Sequence, residues 1–166
     1  MTVLHPLRRK DKEITEEVEL KAILKEAKHV TLAMSLGDEP YLATLSHGYN
    51  EEQSCIYFHS APDGKKVEIL KANPRIWGQA LIDDGYQQGS CDHLYRTTQF
   101  RGRVTFIEDQ KEKENALRWM IRHLDDAPEK IIESQITPHS TKRIIVGRID
   151  IDYMSGKKAD KVIVQL

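Results

Sequence analysis

The 166-residue sequence predicts a mainly β fold, a six-stranded antiparallel barrel that is closed or nearly closed, with three or four helices around it. Three observations carry this. Apolar, β-branched and aromatic residues recur in short runs with period-two alternation. The clearest run is 144–154, where Ile145, Gly147, Ile149 and Ile151 alternate with Val146, Arg148, Asp150 and Asp152. Polar turns such as Gly37-Asp38-Glu39-Pro40 and Asn50 to Gln53 join the early runs by links short enough for hairpins. The length suits one domain, and a chain of this size buries roughly 70% of its unfolded surface, so no disulfide or metal staple is required.

Element by element, Thr15 is a candidate N-cap with acids behind it in the first turn, and Val18, Ile23, Leu24 and Ala27 form an apolar stripe to about Lys28. Strands follow at 30–36, 41–49 and 55–59. A helix starts near Lys65, with Val67, Ile69 and Leu70 inward, and ends before Asn73-Pro74, since the residue before proline disfavours helix. Strand 75–82, a loop at 83–92 with two glycines, and a long strand 95–107 bulged at Gly102 come next. Asp109 opens a helix that presents Leu117, Met120, Ile121 and Leu124 on one face. A shorter helix spans 128–134, and strand 144–154 closes the fold. Residues 1–12 read as a flexible arm, 13–158 as the domain and 159–166 as a tail.

Twenty-five basic residues against 26 acidic ones give a net charge of −1, which argues against a dedicated duplex-DNA binder but leaves room for a local basic pocket. No apolar run approaches the roughly 18 residues that cross a bilayer. Arg8, Arg9 and Lys10 have no apolar stretch behind them, so the start does not read as a signal peptide. Cys55 and Cys91 are far apart without a CxxC pair. A cytoplasmic protein without a nucleic-acid or membrane partner is therefore expected.

The strongest local feature is a strand followed by His59-Ser60-Ala61-Pro62-Asp63-Gly64-Lys65-Lys66 and a helix. A glycine-bearing turn that opens a helix offers free N–H groups and a positive dipole end to an anion, and adjacent lysines add charge. The same residues also describe an ordinary helix start with two solvated lysines. The spacing is neither that of a Walker loop nor that of a Rossmann fingerprint.

An ordered series carries a resemblance: Arg8 to Ile14, Glu39-Pro40-Tyr41, Ile56 to Ala61 with Gly64-Lys65-Lys66, and Leu70 to Arg75. It continues through Tyr95-Arg96-Thr97-Thr98 with Gly102-Arg103, and Met154-Ser155-Gly156-Lys157. Over about residues 8–158 the chain resembles the pyridoxamine 5′-phosphate oxidase-like FMN-binding split β-barrels, and within them the branch of the nitroimidazole-resistance proteins. The resemblance implies FMN at a homodimer interface. His59, Ser60, Lys65 and Lys66 would surround its phosphate or ribityl chain. The strand Ala43, Thr44, Leu45, Ser46 would lie along the isoalloxazine edge with backbone donors, and Thr97 and Thr98 would stand near the flavin. His47, Thr97 and Thr98 depart from the residues many relatives carry. Arg75 and Arg96 are further candidates for compensating the phosphate charge.

The expected activity is that of an FMN-dependent oxidoreductase or flavin reductase. It would pass electrons from a nicotinamide or other donor to a small-molecule acceptor, including a nitroaromatic. A non-catalytic flavin carrier or sensor, and a haem-binding relative with His47 or His59 as axial ligand, stand beside it. Cys91-Asp92-His93 lacks the second ligand pair a zinc site needs, so no metal is expected. No catalytic residue is assigned from the sequence.

Overall fold

The computed structural model describes residues 6–160; the outer parts of the expected arm and tail, 1–5 and 161–166, lie outside the described residues. After a 3₁₀ turn at Lys10–Lys12 come α1 (Glu17–Glu26), β1 (His29–Leu36), β2 (Glu39–Ser46), β3 (Gly48–Asn50), β4 (Cys55–Ser60) and α2 (Lys65–Ala72). The chain continues through β5 (Arg75–Gln87), β6 (Asp92–Phe106), α3 (Gln110–Leu124), α4 (Pro128–Gln135), α5 (Pro138–Lys142) and β7 (Ile145–Ala159). No helix among the described residues is long and apolar enough to cross a membrane.

The strands form one antiparallel sheet of seven, in the order β2-β1-β5-β6-β7-β4-β3. Six were expected, and the difference lies at His47. The single strand expected over 41–49 is two strands: β2 pairs only with β1, and β3 only with β4. These are the two ends of the sheet order, and one residue joins them. The sheet therefore curls until its two edges meet at that corner, and His47 turns inward at the junction, fully buried.

Two nitrogens at this seam tie it to the helices. His47 Nε2–H donates to the carbonyl of Leu24 at 3.0 Å, and His123 Nε2–H, from α3, donates to the carbonyl of Ala27 at 2.8 Å. Both carbonyls belong to the last turn and C-cap of α1, where helical acceptors lack partners of their own. The two imidazole centroids lie 4.6 Å apart.

Other boundaries shift for local reasons. The N-cap of α1 is Glu16, not Thr15, whose hydroxyl donates to Glu16 instead. Val18 is 73% exposed, and Leu20 takes its place on the buried stripe with Ile23 and Leu24. The expected loop 83–92 is mostly hairpin, because β5 and β6 stay paired from Asp83↔Tyr95 out to Gln87↔Asp92, past an irregularity at Asp83/Gly85. Asp109 caps α3 as expected, accepting from the amide of Glu112 at 2.8 Å, and the β6 ladder shifts register at Arg101/Gly102. The turn-length α5 was not foreseen; Thr137 and Ser140 cap it reciprocally.

Two glycines explain why the barrel interior closes. Gly78 and Phe100 are register partners across β5 and β6, as are Gly147 and Phe58 across β7 and β4. In each pair the phenyl ring is fully buried and folds over the glycine. A Cβ at Gly147 would meet Phe58 Cζ at 2.3 Å, and one at Gly78 would meet Phe100 Cζ at 2.2 Å. Gly147→Ala is expected to cost about 1–3 kcal/mol as an overpacked core. Urea unfolding checks this, and Phe58→Leu in the same chain is expected to recover part of the loss. An unchanged midpoint for Gly147→Ala would remove this account of the glycine.

Candidate functional site

The end of β4 and the start of α2 carry a group of polar residues without a carboxylate partner among the described residues. Gly64 caps α2 at φ +110, and no side chain caps the helix, so its first amides are left without acceptors. A residue with a Cβ is strained at this φ. Lys65 Nζ lies 5.0 Å from the centroid of the Tyr41 ring on β2, a cation–π contact rather than an ion pair. Neither Lys65, Lys66 nor His59 has a carboxylate partner among the described residues.

Partial burial pushes the Lys66 ammonium below its ordinary value. Its surroundings, and then the Lys66 charge, push the His59 imidazole down as well. Cationic groups held together, partly desolvated and without a counter-charge, are stabilised by a bound anion. This donor set fits a phosphate: two ammonium groups, a hydroxyl at Ser60, and the free N–H groups of a helix start.

Next to this cluster β2 forms an end of the sheet. Among the described residues, alternate backbone N–H and C=O groups of Ala43, Thr44, Leu45 and Ser46 therefore have no ladder partner. Ala43 and Leu45 face the core, while Leu42, Thr44 and Ser46 face outward. On that outer face a groove of about 520 Å³ is lined by Thr31, Ala33, Leu42, Trp77, Gln79 and Gln99, from four adjacent strands. Leu42 is 66% exposed, and Thr31 and Thr44 share a hydroxyl hydrogen bond of 2.9 Å beside it. Tyr41 and Leu42 are consecutive on β2 and point to opposite faces. A ligand that used both the cation cluster and the groove would cross the open edge of β2.

The remaining candidate residues divide. Thr97 is on the outer face, two residues along β6 from Gln99, with its hydroxyl directed at the carbonyl of Lys157 at 3.5 Å. Thr98 faces inward, fully buried, and its hydroxyl donates to the carbonyl of Leu20 at 2.9 Å. Arg75 is bound to Asp152 at 3.0 Å, and Arg96 to Glu26 and Asp84 at 2.8 and 3.0 Å, so their charges are already compensated. His93 pairs with Asp83 at 2.7 Å rather than with Cys91. Among the described residues no group of three or more His, Cys, Asp or Glu could hold a metal ion. Cys55 is buried and Cys91 exposed.

In the sequence, Trp77-Gly78-Gln79-Ala80 stands out as an unusually small and polar strand, but neither it nor Leu42 and Gln99 are assigned to a site. The signal was present in the alternation of β5 and β6, which puts Trp77, Gln79 and Leu81 on one face and Thr97, Gln99 and Arg101 on its continuation. The polarity of the 77–80 segment belongs to this outer face, and its small residue Gly78 to the ring of Phe100 beneath. None of the six named groove residues ionises near neutral pH. The surface suits a flat ring held by contact and a few hydrogen bonds rather than general acid–base chemistry.

Comparison with solved structures shows where this architecture recurs. A candidate 5-nitroimidazole antibiotic resistance protein from Bacteroides thetaiotaomicron is 26% identical, with a TM-score of 0.73 over 90% of each chain. A flavocytochrome from Azotobacter vinelandii has a TM-score of 0.80 at 17% identity, over 95% of this chain and 73% of that one. An FAD-binding protein from Mesorhizobium loti has a TM-score of 0.65 at 22% identity, over 87% and 96%. No curated protein matches. The family described as pyridoxamine 5′-phosphate oxidase matches residues 16–158, nearly the whole described chain, and the protein belongs to that family.

Proposed function

We propose that this chain is an FMN-binding oxidoreductase of the split-barrel type, working as a homodimer. The observation that carries the reading is the pair of lysines without a carboxylate partner among the described residues, Lys65 and Lys66, next to His59 and Ser60 in the chain turn and beside an exposed groove across the open edge of β2. In this reading Lys65, Lys66 and the amides that start α2 hold the phosphate. The free backbone groups of Ala43 to Ser46 meet the edge of the ring system, and Trp77, Leu42 and Gln79 exclude water from its face.

Bound flavin supplies hydride and electron transfer, and the protein's part is to hold and orient. A groove without an ionisable side chain among these residues is consistent with that division. The names of the related structures, which include flavin-binding proteins and a nitroimidazole-resistance candidate, support a flavin and a nitroaromatic acceptor. The oxidation of pyridoxamine phosphate itself fits less well. The nearest candidate for a second phosphate site, Gly156-Lys157-Lys158, is largely committed elsewhere. A Cβ at Gly156 would meet Leu20 Cδ2 at 2.4 Å, and Lys158 is paired with Glu19 at 2.8 Å. A haem ligand at His47 is disfavoured by its complete enclosure at the seam.

The outer face leaves Leu42 and Leu81 uncovered, 66% and 50% exposed, which supports association through that face. The protein purified with the cofactor it carries from the cell is expected to show flavin absorbance bands, to release FMN on denaturation, to bleach anaerobically with NADH or NADPH, and to sediment as a dimer. A Soret band alone, or a released flavin carrying adenine, would overturn the cofactor. A flavin that stays oxidised with both nicotinamides would favour a carrier over a reductase.

A further inference from the structure

Away from the flavin groove, a second cavity of about 370 Å³ opens between α3 and the strands β4 and β7. It shares no lining residue with that groove. Three guanidinium groups border it, Arg118 and Arg122 from α3 and Arg148 from β7, together with the rings of Trp119 and Tyr57. Arg118 has no ion-pair or hydrogen-bond partner among the described residues. Arg122 is held through Nε by Glu129 at 3.0 Å, and its two terminal nitrogens have no partner among the described residues. Arg148 is held through Nε by Asp150 at 2.7 Å and donates from one terminal nitrogen to Gln53 at 2.6 Å, which leaves the other free.

Two of the three forks are thus anchored from behind, through Nε, with terminal N–H groups left over. The terminal pair of Arg122 matches the two oxygens of a carboxylate, and Arg148 adds one further donor.

The cavity is polarised along α3. Glu112 is the carboxylate on its described lining, ten residues before Arg122. At 1.5 Å per residue, it stands about 15 Å along the helix axis from Arg122 and about 9 Å from Arg118. Trp119 lies on the same helical stripe, beside the arginines, and the apolar side of the cavity is built by Ala116 and Ile107. One end therefore offers one uncompensated guanidinium, Arg118, beside free N–H donors of Arg122 and Arg148, whose charges Glu129 and Asp150 balance, and the middle offers flat apolar surface.

We infer that this cavity is a binding site for a flat organic carboxylate, its carboxylate held by Arg118 with Arg122 and Arg148 and its ring against Trp119. The site stands independently of the flavin reading.

Benzoate is the probe, titrated calorimetrically into the full-length protein. Saturable binding at one site per chain is expected, weakened at least tenfold by Arg118→Gln and also by Trp119→Leu. Binding is expected to be unchanged by Lys65→Ala with Lys66→Ala, which separates this site from the flavin cluster. Circular dichroism melts of Arg118→Gln and Arg118→Lys control for folding. Arg118→Lys keeps the charge without the fork and is expected to bind more weakly than wild type. Three results would each overturn the inference: no saturable binding, equal affinity in Arg118→Gln and wild type, or loss of benzoate binding in the Lys65/Lys66 variant. Binding of inorganic phosphate as tight as that of benzoate would overturn the flat-carboxylate class.

Discussion

Replacing Lys65 and Lys66 together by alanine is expected to weaken FMN binding by about 10²–10⁴-fold. Each charged hydrogen bond lost costs about 1.5–3 kcal/mol, and two lost contacts sum to about 3–6 kcal/mol. The cost falls on binding rather than on folding, because neither lysine is paired with a carboxylate among the described residues. Lys65 gives up its contact with the Tyr41 ring, about 0.5–1 kcal/mol at an exposed site. Lys66 sheds a burial penalty that already pushes its ammonium below the ordinary value. Quenching of FMN fluorescence during reconstitution reads the affinity, and a urea melt of the flavin-free chain reads the stability. Wild-type affinity in the double variant would show that the phosphate lies elsewhere.

Acid is expected to weaken the fold through His47. Burial pushes its imidazole from 6.5 to about 4, helped by the neighbouring His123 and His29. The hydrogen bond to the Leu24 carbonyl fixes the proton on Nε2, because a carbonyl can only accept, and Nδ1 is buried without a partner among the described residues. A second proton must go to that enclosed nitrogen. The unfolded chain, where His47 titrates normally, binds more protons between the two values, so stability rises with pH across that window. The His47 contribution is complete above about 6.5 and is lost as the pH falls toward 4. At 1.36 kcal/mol per unit, a shift of this size amounts to about 3 kcal/mol.

His47→Gln keeps an N–H for Leu24 and does not titrate. Its urea midpoint is expected to fall less than that of wild type between pH 7 and pH values near 4. Equal slopes for the two proteins would remove His47 from the acid response. His123, also pushed down by burial, titrates in both proteins, and His123→Gln alone and combined with His47→Gln separates the two contributions.

Much of the fold was legible along the chain because its signals are local. Asp109 announces α3 by its own side chain, Pro74 ends α2, and the alternation of residues 145–151 marks β7. The candidate anion cluster is contiguous for the same reason, since Ser60, Gly64, Lys65 and Lys66 lie within seven residues. Other residues were misplaced where a distant partner decides. Thr98 and Thr97 look equivalent in sequence. One points inward to the carbonyl of Leu20 and the other outward, a distinction set by the pleat against a helix 78 residues away. Arg75 and Arg96 looked free until Asp152, Glu26 and Asp84 were seen around them.

By itself the sequence determined a mainly antiparallel β domain, its family resemblance and the turn that is its candidate anion site. Hydrophobic period, capping and glycine-proline punctuation act over a few residues and survive without tertiary context. Only the tertiary structure decided the strand count, the groove on the outer face and the arginine cavity. Each is an agreement between segments far apart in the chain. One buried histidine had to turn for β2 and β3 to reach opposite ends of the sheet, and four strands had to align before Leu42, Trp77 and Gln99 shared a surface.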